Sequence, residues 1–474
     1  MGIREACGVV GIYSHEQVSY DIFTALRVLQ HRGQESAGIS VFDDGITTHK
    51  GMGLVTEVFT PEILRMLKGN VGIGHVRYST EGASVQRNAQ PIEMSTTIGE
   101  MALGHNGELV NASDLREEYK EKGWAFFSNT DSELIIRILA KELHDGRDPV
   151  SAIKRTMDQI SGSYSLVLLI NNRLFAIRDP LGIKPLVIGK RGSTYMVASE
   201  TVVFDALGAE MIRDVHPGEI VEISGNGISS YRTPTPKHTA HCFFEWVYFA
   251  RSDSIIDGVL VYDVRRKIGN ILAREHPVEA DLVIPVPDSG RAYALGYSEE
   301  SGIKYAEGLI KNRYVDRTFI MPEQKMREFN VSLKLNPIKS MIDGKRIVLV
   351  DDSIVRGTTM GRIVSMLRKA GAKEVHVRIG CPKIIAPCYL GIDMKTREQL
   401  IAARNDVDAI RRNIGADSLG YLSIDGLIEA IGKPREDLCL GCITGEYPVQ
   451  IKGERLRGQR VLDRYIQIGL HKKE

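Results

Sequence analysis

Cysteine is scarce in this sequence, with six residues in 474. So few thiols in so long a chain cannot build a disulfide framework. In a reducing compartment they read as metal ligands or nucleophiles. No sign of charge dominates: 61 Lys and Arg stand against 60 Asp and Glu, which removes the basic field expected of a nucleic-acid binder. No window approaches 18 uninterrupted apolar residues, and the opening stretch MGIREACGVV lacks the apolar segment of a signal peptide. A cytoplasmic location with no membrane partner is expected. Internal repeats and low-complexity tracts are absent, and so is a G-x-x-x-x-G-K-S/T loop, which weighs against an ATPase. The composition is otherwise that of an ordinary globular protein, and the length implies two domains, with three as the outer bound.

The two halves differ in texture. GVVGIYS, SAGISVF, VGIGHVRYS, SYSLVLLI, LFAIRD and YMVAS are short apolar runs between turn residues, and they predict strands. Between them, TDSELIIRILAKEL (130–143) predicts a helix, with Thr130 and Glu133 at capping-box spacing and Leu134, Ile135, Ile138 and Leu139 on one face. Pro, Thr and His interrupt the pattern around YRTPTPKHTAHC, marking a linker near 230–240. Beyond it, ADLVIPVP, KYAEGLI, KRIVLVDD and EVHVRIG predict buried parallel strands. TTMGRIVSMLRKAG (358–371) predicts a helix whose Met360, Ile363, Val364 and Leu367 form one face, with Gly371 at its end. That pattern belongs to a doubly wound α/β domain, with ligands at the carboxyl ends of the strands.

The strand KRIVLV runs into Asp351, Asp352 and Ser353, then Ile354, Val355, Arg356, Gly357, Thr358 and Thr359, and then a helix. Amides and hydroxyls at Gly357, Thr358 and Thr359 suit a phosphate at a helix start. The two carboxylates suit sugar hydroxyls or a hard cation such as magnesium. A plain helix start after a buried strand and a phosphoacceptor aspartate are the alternatives. The string closely resembles the phosphoribosyl-pyrophosphate (PRPP) motif of type I phosphoribosyltransferases. The resemblance implies that Asp351 and Asp352 hold ribose hydroxyls and magnesium and that the loop, Arg356 included, holds the 5′-phosphate. VPDSG (286–290) can give amides to a pyrophosphate, with Ser289 near the metal. KNRYVDRTFIMPEQKMREFNVSLKLNP (311–337) is basic and polar and reads as a lid over an anion, with Lys311, Arg313 and Tyr314 among its PRPP-binding residues. A solvated surface loop is the plainer reading of that stretch.

In the first half, HRGQESAGI (31–39), GHVRYST (74–80), GHNGELVN (104–111) and SNTDSE (128–133) set polar residues at element ends. A cysteine attacking an amide needs a base, an oxyanion hole and a grip on its substrate. If residues 1–6 are removed, the α-amine of Cys7 is the base. Asn106 can offer its side-chain N–H and Gly107 its backbone N–H to the oxyanion. Arg77 can clamp a carboxylate, and Asp131 can hold an ammonium group. A ligand with amide, carboxylate and ammonium is glutamine. Singly, Asn106–Gly107 is also a hairpin turn and Arg77 a surface cation. In this order the segments, with RDPLGIKPL (178–186), resemble class II glutamine amidotransferase domains from Cys7 to about residue 230. The resemblance implies the same roles for these residues and sets Arg32 and Gly33 in the lining of the glutamine pocket.

Spacing alone leaves Cys439 and Cys442, with Cys242 and Cys388, open between zinc, an iron–sulfur cluster and plain burial. HCFFEWVYFARSDSIIDG, APCYLGID and CLGCITGEYP resemble segments of the iron–sulfur branch of the glutamine PRPP amidotransferase family. That branch implies a 4Fe–4S cluster on Cys242, Cys388, Cys439 and Cys442, structural and oxygen-sensitive, and a propeptide before the nucleophile. Cys381 is left as a core residue. The expected architecture is an α+β amino-terminal nucleophile sandwich followed by an α/β type I phosphoribosyltransferase domain. The expected boundaries are 1–6 propeptide, 7–235 glutaminase, 236–450 phosphoribosyltransferase and 451–474 tail. The implied reaction joins glutamine, PRPP and water, with purine nucleotides as feedback inhibitors and a homodimer or homotetramer as the assembly. Asp316 and Ser332 depart from the family lid, where glycine and a basic residue are usual, and bear on lid closure. Another class II amidotransferase or a non-catalytic PRPP sensor are the rivals. The first would need a sugar-isomerase domain or an ATP loop, and the second has no use for Cys7, Arg77 and Asn106 together.

Overall fold

The structure, a computed structural model, describes residues 7–78, 85–312, 335–394 and 396–451. Alternation of apolar side chains builds the first half. Its strands are β1 (Gly8–Tyr13), β2 (Ser36–Asp43), β3 (Gly45–Met52), β4 (Val71–Arg77), β5 (Ile92–Thr96), β6 (Gly99–Leu109), β7 (Gly162–Ile170), β8 (Arg173–Arg178), β9 (Val187–Arg191), β10 (Thr194–Ala198), β11 (Glu210–Asp214), β12 (Glu219–Ser224) and β13 (Gly227–Arg232). They form two sheets, ordered β11-β9-β10-β1-β4-β2-β3 and β13-β12-β8-β7-β6-β5.

Each sheet buries both faces. Val9, Ile73 and Val197 from one sheet meet Ala102, Val167 and Leu169 from the other in a shared core. On the outer face of the first sheet, Val10 and Ile12 pack with Ile22 and Leu26 of the helix Ser19–Val28. On the outer face of the second, Leu166 and Leu168 pack with Leu134, Ile135, Ile138 and Leu139 of the helix Asp131–His144. The result is helix, sheet, sheet, helix, the α+β sandwich expected. Full burial of each such side chain stabilises by about 1.5–3 kcal/mol.

The capping box is half formed. The Thr130 hydroxyl accepts from the Glu133 N–H at 3.4 Å, a cap worth about 1 kcal/mol. The Glu133 carboxylate instead accepts from the N–H groups of Phe127 and Ser128 and from Arg137. It tethers the preceding loop rather than closing the box.

No strand or helix forms between Arg232 and His241, where the linker was expected. The second half has a four-stranded parallel sheet ordered Leu282–Pro285, Arg346–Asp351, Glu374–Ile379 and Ser418–Tyr421. Ile347, Val348, Leu349 and Val350 are fully buried, as a strand covered on both faces requires. The helix Thr358–Lys369 buries the four residues expected, and Gly371 follows it at φ +99°. KYAEGLI is a correction. It adds one bridge, Tyr305 to Val283, and then turns at Gly308. Leu309–Lys311 pairs antiparallel with Leu335–Pro337 in a separate ribbon. Further on, His241–Cys242 pairs parallel with Leu438–Cys439, so the linker meets the carboxyl-terminal region. No described helix is long and apolar enough to cross a membrane. Residues 1–6, most of the lid (Arg313, Tyr314, Asp316 and Ser332 included) and most of the tail lie outside the described residues.

Candidate active sites

Cys7 leads into β1, a central strand of its sheet. Register pairs Gly8 with Val76 of β4, which sets Cys7 across from Arg77. The thiol is 7% exposed, and its sulfur lies 3.5 Å from the Tyr78 carbonyl. Burial pushes the thiol up from its usual value; a hydrogen bond at Tyr78 and the charge of Arg77 oppose the shift, while Asp131 and Glu35 add to it. Arg77 and Asp131 therefore both act on the sulfur. A thiol held in its neutral form needs a base before it can attack.

Arg77 is buried rather than a surface cation, and Asn106–Gly107 lies inside β6 rather than at a hairpin turn. Both bland readings fall. The Asn106 side chain is fully buried, and neither its oxygen nor its nitrogen has a hydrogen-bond partner among the described residues. An amide so placed costs about 1–3 kcal/mol, the kind of cost found where a ligand completes the bonding. At Gly107 φ is +150°, and a Cβ would collide with the Ser163 carbonyl, so only glycine fits.

Asp131 opens its helix at the end where the dipole favours a carboxylate. It accepts from the Leu109 N–H at 3.0 Å and lies 3.3 Å from Nδ1 of His105. Burial works against its charge, but the His105 charge and hydrogen bond outweigh burial and lower its pKa. In His105 burial is likewise outweighed by Asp131, and the pKa rises. The other ring nitrogen of His105 is 3.4 Å from the Ser163 carbonyl, so both nitrogens face acceptors, as in an imidazolium.

Gly33 allows the turn before β2 to lie against β4; a Cβ there would be 2.6 Å from the Arg77 nitrogen. Arg32, expected in the glutamine pocket, adjoins the nucleophile, and its guanidinium is engaged within the protein. Nε donates to the Cys7 carbonyl at 3.1 Å, and the remaining nitrogens bond Glu200 at 2.6 Å and Glu245 at 2.9 Å, all buried.

The second site gathers at the carboxyl ends of parallel strands. Asp351 ends its strand; one of its oxygens accepts from Ser289 Oγ at 3.3 Å and from the Asp352 N–H at 2.9 Å. Ser353 Oγ donates to Asp352 at 2.5 Å. Burial raises both carboxyl groups, and the neighbouring Asp352 charge raises Asp351 further. Two adjacent carboxylates, one half-buried and one buried, with a nearby hydroxyl match the hard-oxygen donor set of magnesium. In the 286–290 loop the Pro287–Asp288 peptide is cis, and Lys311 Nζ reaches Asp288 at 3.0 Å. Gly357, at φ +77°, starts the helix that opens with Thr358 and Thr359. Arg356 instead turns to Gln399 at 2.6 Å.

Of the four remaining expected ligands, the fold pairs two directly. Cys242 and Cys439 are opposite each other in the short parallel bridge. Burial raises the Cys442 thiol, and Cys388, Cys381, Cys439 and Cys242 all add to the rise. Cys388 is pushed up to about 11 by burial, partly offset by Lys184. All six cysteines are free thiols, and Cys381 is fully buried in the core as expected. Among the described residues no set of three or more His, Cys, Asp or Glu is grouped so as to hold a metal ion. Four thiols are the soft donors that iron–sulfur ligation uses, and the charge of buried Lys184 acts on three of them, Cys242, Cys388 and Cys439.

Sequence reasoning missed Glu200, Glu245 and Lys184. Glu200 sits between two hydroxyl residues in ASETVV, and Glu245 and Lys184 are lone charges between apolar neighbours, in FFEWVYF and GIKPLV. That signals a buried partner without saying which.

Comparison with known proteins covers both halves. Family models for a glutamine amidotransferase domain and a phosphoribosyl transferase domain match residues 75–206 and 258–383. The amidophosphoribosyltransferase of Methanothermobacter thermautotrophicus is 55% identical, over 95% of this chain and 96% of its own. That of Methanocaldococcus jannaschii is 53% identical, over 96% of this chain and 100% of its own. Among solved structures, the glutamine PRPP amidotransferase of B. subtilis complexed with ADP and GMP superposes with a TM-score of 0.88 at 45% identity, covering 94% of this chain and 98% of that one.

Proposed function

The chain belongs to the amidophosphoribosyltransferase family, and from that premise we infer how its residues divide the reaction. L-Glutamine, PRPP and water give 5-phosphoribosylamine, L-glutamate and diphosphate, the first committed step of purine synthesis. The observation that carries the assignment of the glutamine half is the unpartnered Asn106 amide on β6, the strand whose Leu109 and His105 hold Asp131, while Arg77 and Asp131 both act on the Cys7 thiol.

In our reading, Arg77 clamps the glutamine carboxylate and Asp131, kept ionised by His105, holds its ammonium. With 1–6 removed, the Cys7 α-amine takes the thiol proton as sulfur attacks the amide carbon. The oxyanion takes the Asn106 side-chain N–H and the Gly107 backbone N–H. Collapse breaks the C–N bond, the departing nitrogen takes the proton and leaves as ammonia, and water then cleaves the thioester to glutamate. Arg32 holds the Cys7 carbonyl and hence the direction of attack.

At the second site the Asp351 and Asp352 carboxylates hold ribose hydroxyls. The loop Ser353, Gly357, Thr358 and Thr359 holds the 5′-phosphate, with Lys311 at the diphosphate end. Magnesium held by Asp351, Asp352 and Ser289 would neutralise the leaving diphosphate. Ammonia attacks the anomeric carbon as diphosphate departs. A 4Fe–4S cluster on Cys242, Cys388, Cys439 and Cys442 would tie the linker to the carboxyl-terminal region. We further read the enzyme as cytoplasmic, where six free thiols persist, and as subject to purine-nucleotide inhibition.

Glutamate release measured with and without PRPP tests the reading. PRPP-stimulated glutaminase is expected, and glutaminase indifferent to PRPP overturns it.

A further inference from the structure

Lys184 is an unusual residue. Its side chain is fully buried and its ammonium has no hydrogen-bond partner among the described residues. Among the described residues the one carboxylate paired with it, Glu245, is 3.7 Å away and is already held by two bonds from Arg32. Phe249 offers a ring face at 5.2 Å, a weaker contact than an anion. An ammonium with three N–H groups is not kept dry without a further negative partner.

The fold sets that partner beside it. The carbonyl of Ile183, next in sequence, accepts from the Cys242 N–H at 3.0 Å. The Lys184 stem lies against Gly391, three residues after Cys388. The charge of Lys184 acts on the thiols of Cys242, Cys388 and Cys439. On its other side the chain of contacts is unbroken: Lys184 to Glu245, Glu245 to Arg32, and Arg32 Nε to the carbonyl of Cys7. The same loop also presses on the oxyanion strand. Gly391 abuts Gly107, its N–H reaches Glu108 at 3.2 Å, and the Leu390 carbonyl accepts from Ser163 at 2.9 Å.

We propose that Lys184 is the counter-cation of a metal cluster on the four cysteines and that Glu245 and Arg32 pass that charge to the backbone of Cys7. Lys184 and Glu245 are then positioning residues for the glutamine half-reaction. The proposal rests on the four-cysteine reading above.

The full chain, purified without oxygen, provides the test. Iron and sulfide are counted, the reduction potential is read by titration under electron paramagnetic resonance, and glutamine-dependent and ammonia-dependent synthesis are compared. Lys184→Met removes a positive charge beside the cluster and is expected to shift the potential negative. Glu245→Gln removes a negative charge and is expected to shift it positive. Both should lower glutamine kcat/KM about tenfold and leave ammonia-dependent synthesis within twofold. An iron-loaded variant at the wild-type potential overturns the counter-cation, and unchanged glutamine kinetics overturn the link to Cys7. If Lys184→Met does not fold, Glu245→Gln decides alone. A wild-type protein with full activity and no iron or sulfide overturns the cluster reading and this proposal with it.

Discussion

Replacing Asn106 by leucine separates catalysis from folding in a single variant. The amide is fully buried and unpartnered, so the folded protein already bears the cost of drying it. Leucine has nearly the same volume and no polar atoms, and it removes a penalty of about 1–3 kcal/mol while keeping the packing. Stability should hold or rise. Catalysis should move the other way, because an oxyanion donor contributes about 3 kcal/mol to the barrier, roughly 150-fold in rate. The assay pairs thermal unfolding with glutamate release and with synthesis from ammonia. Expected are an unchanged or higher melting temperature, glutamine-dependent turnover down by about two orders of magnitude, and ammonia-dependent synthesis preserved. A variant that unfolds earlier and loses both syntheses together would show that Asn106 is a structural amide.

The remaining expectations are independent of that one. Intact mass of active protein should show loss of 1–6, and Cys7 should alkylate faster in the chain starting at Cys7 than in the unprocessed chain, because burial otherwise keeps its thiol protonated; full activity from a chain still beginning at Met1 contradicts the mechanism. Gly33→Ala sets a Cβ 2.6 Å from the backbone nitrogen of Arg77 and must shift that strand, so glutamine KM should rise about tenfold or more (about 1.4 kcal/mol) with PRPP affinity unchanged. Asp351→Asn or chelation of magnesium should abolish both syntheses; and because the Asp351 and Asp352 pKa values are raised, PRPP affinity in wild type should weaken as pH falls through them. His105 has a raised pKa, so its contribution to stability is complete below its unfolded value and lost as pH rises through the folded one; Asp131, lowered, contributes above its unfolded value and loses that as pH falls through the folded one. Unfolding of His105→Gln followed across pH should therefore lack the alkaline decline of the wild type.

Local rules made much of this legible. Period-two runs located the strands of the sandwich, and the strand–acid–helix string located Asp351 and Asp352 where the sheet ends. Cys7 stood out because its neighbours could be matched, one by one, to the groups of a substrate. What stayed hidden depends on contacts between residues remote in sequence. Nothing near Arg32 reveals that its partners lie 168 and 213 residues away. KYAEGLI has the apolar content of a buried strand, but the edge of the sheet leaves it one bridge before Gly308 turns the chain. The Leu390–Gly391 contact on β6 has no periodic signature at all.

The pairing of Arg32 with Glu245 also limits how such a protein can be taken apart or assembled from pieces. A chain cut at the linker would retain every glutamine-site residue and every strand of the first sandwich. It would also leave the buried guanidinium of Arg32 with one carboxylate, Glu200, beside the Cys7 carbonyl, and Glu200 itself without its bonds from Arg251 and Ser254. Losing one partner of a buried ion pair costs about 3–5 kcal/mol, a large share of a domain's stability. The glutaminase half is thus not a portable cassette. A functional exchange between relatives would have to carry the 241–254 segment along with the first domain, and the seam for recombination lies after the linker rather than within it.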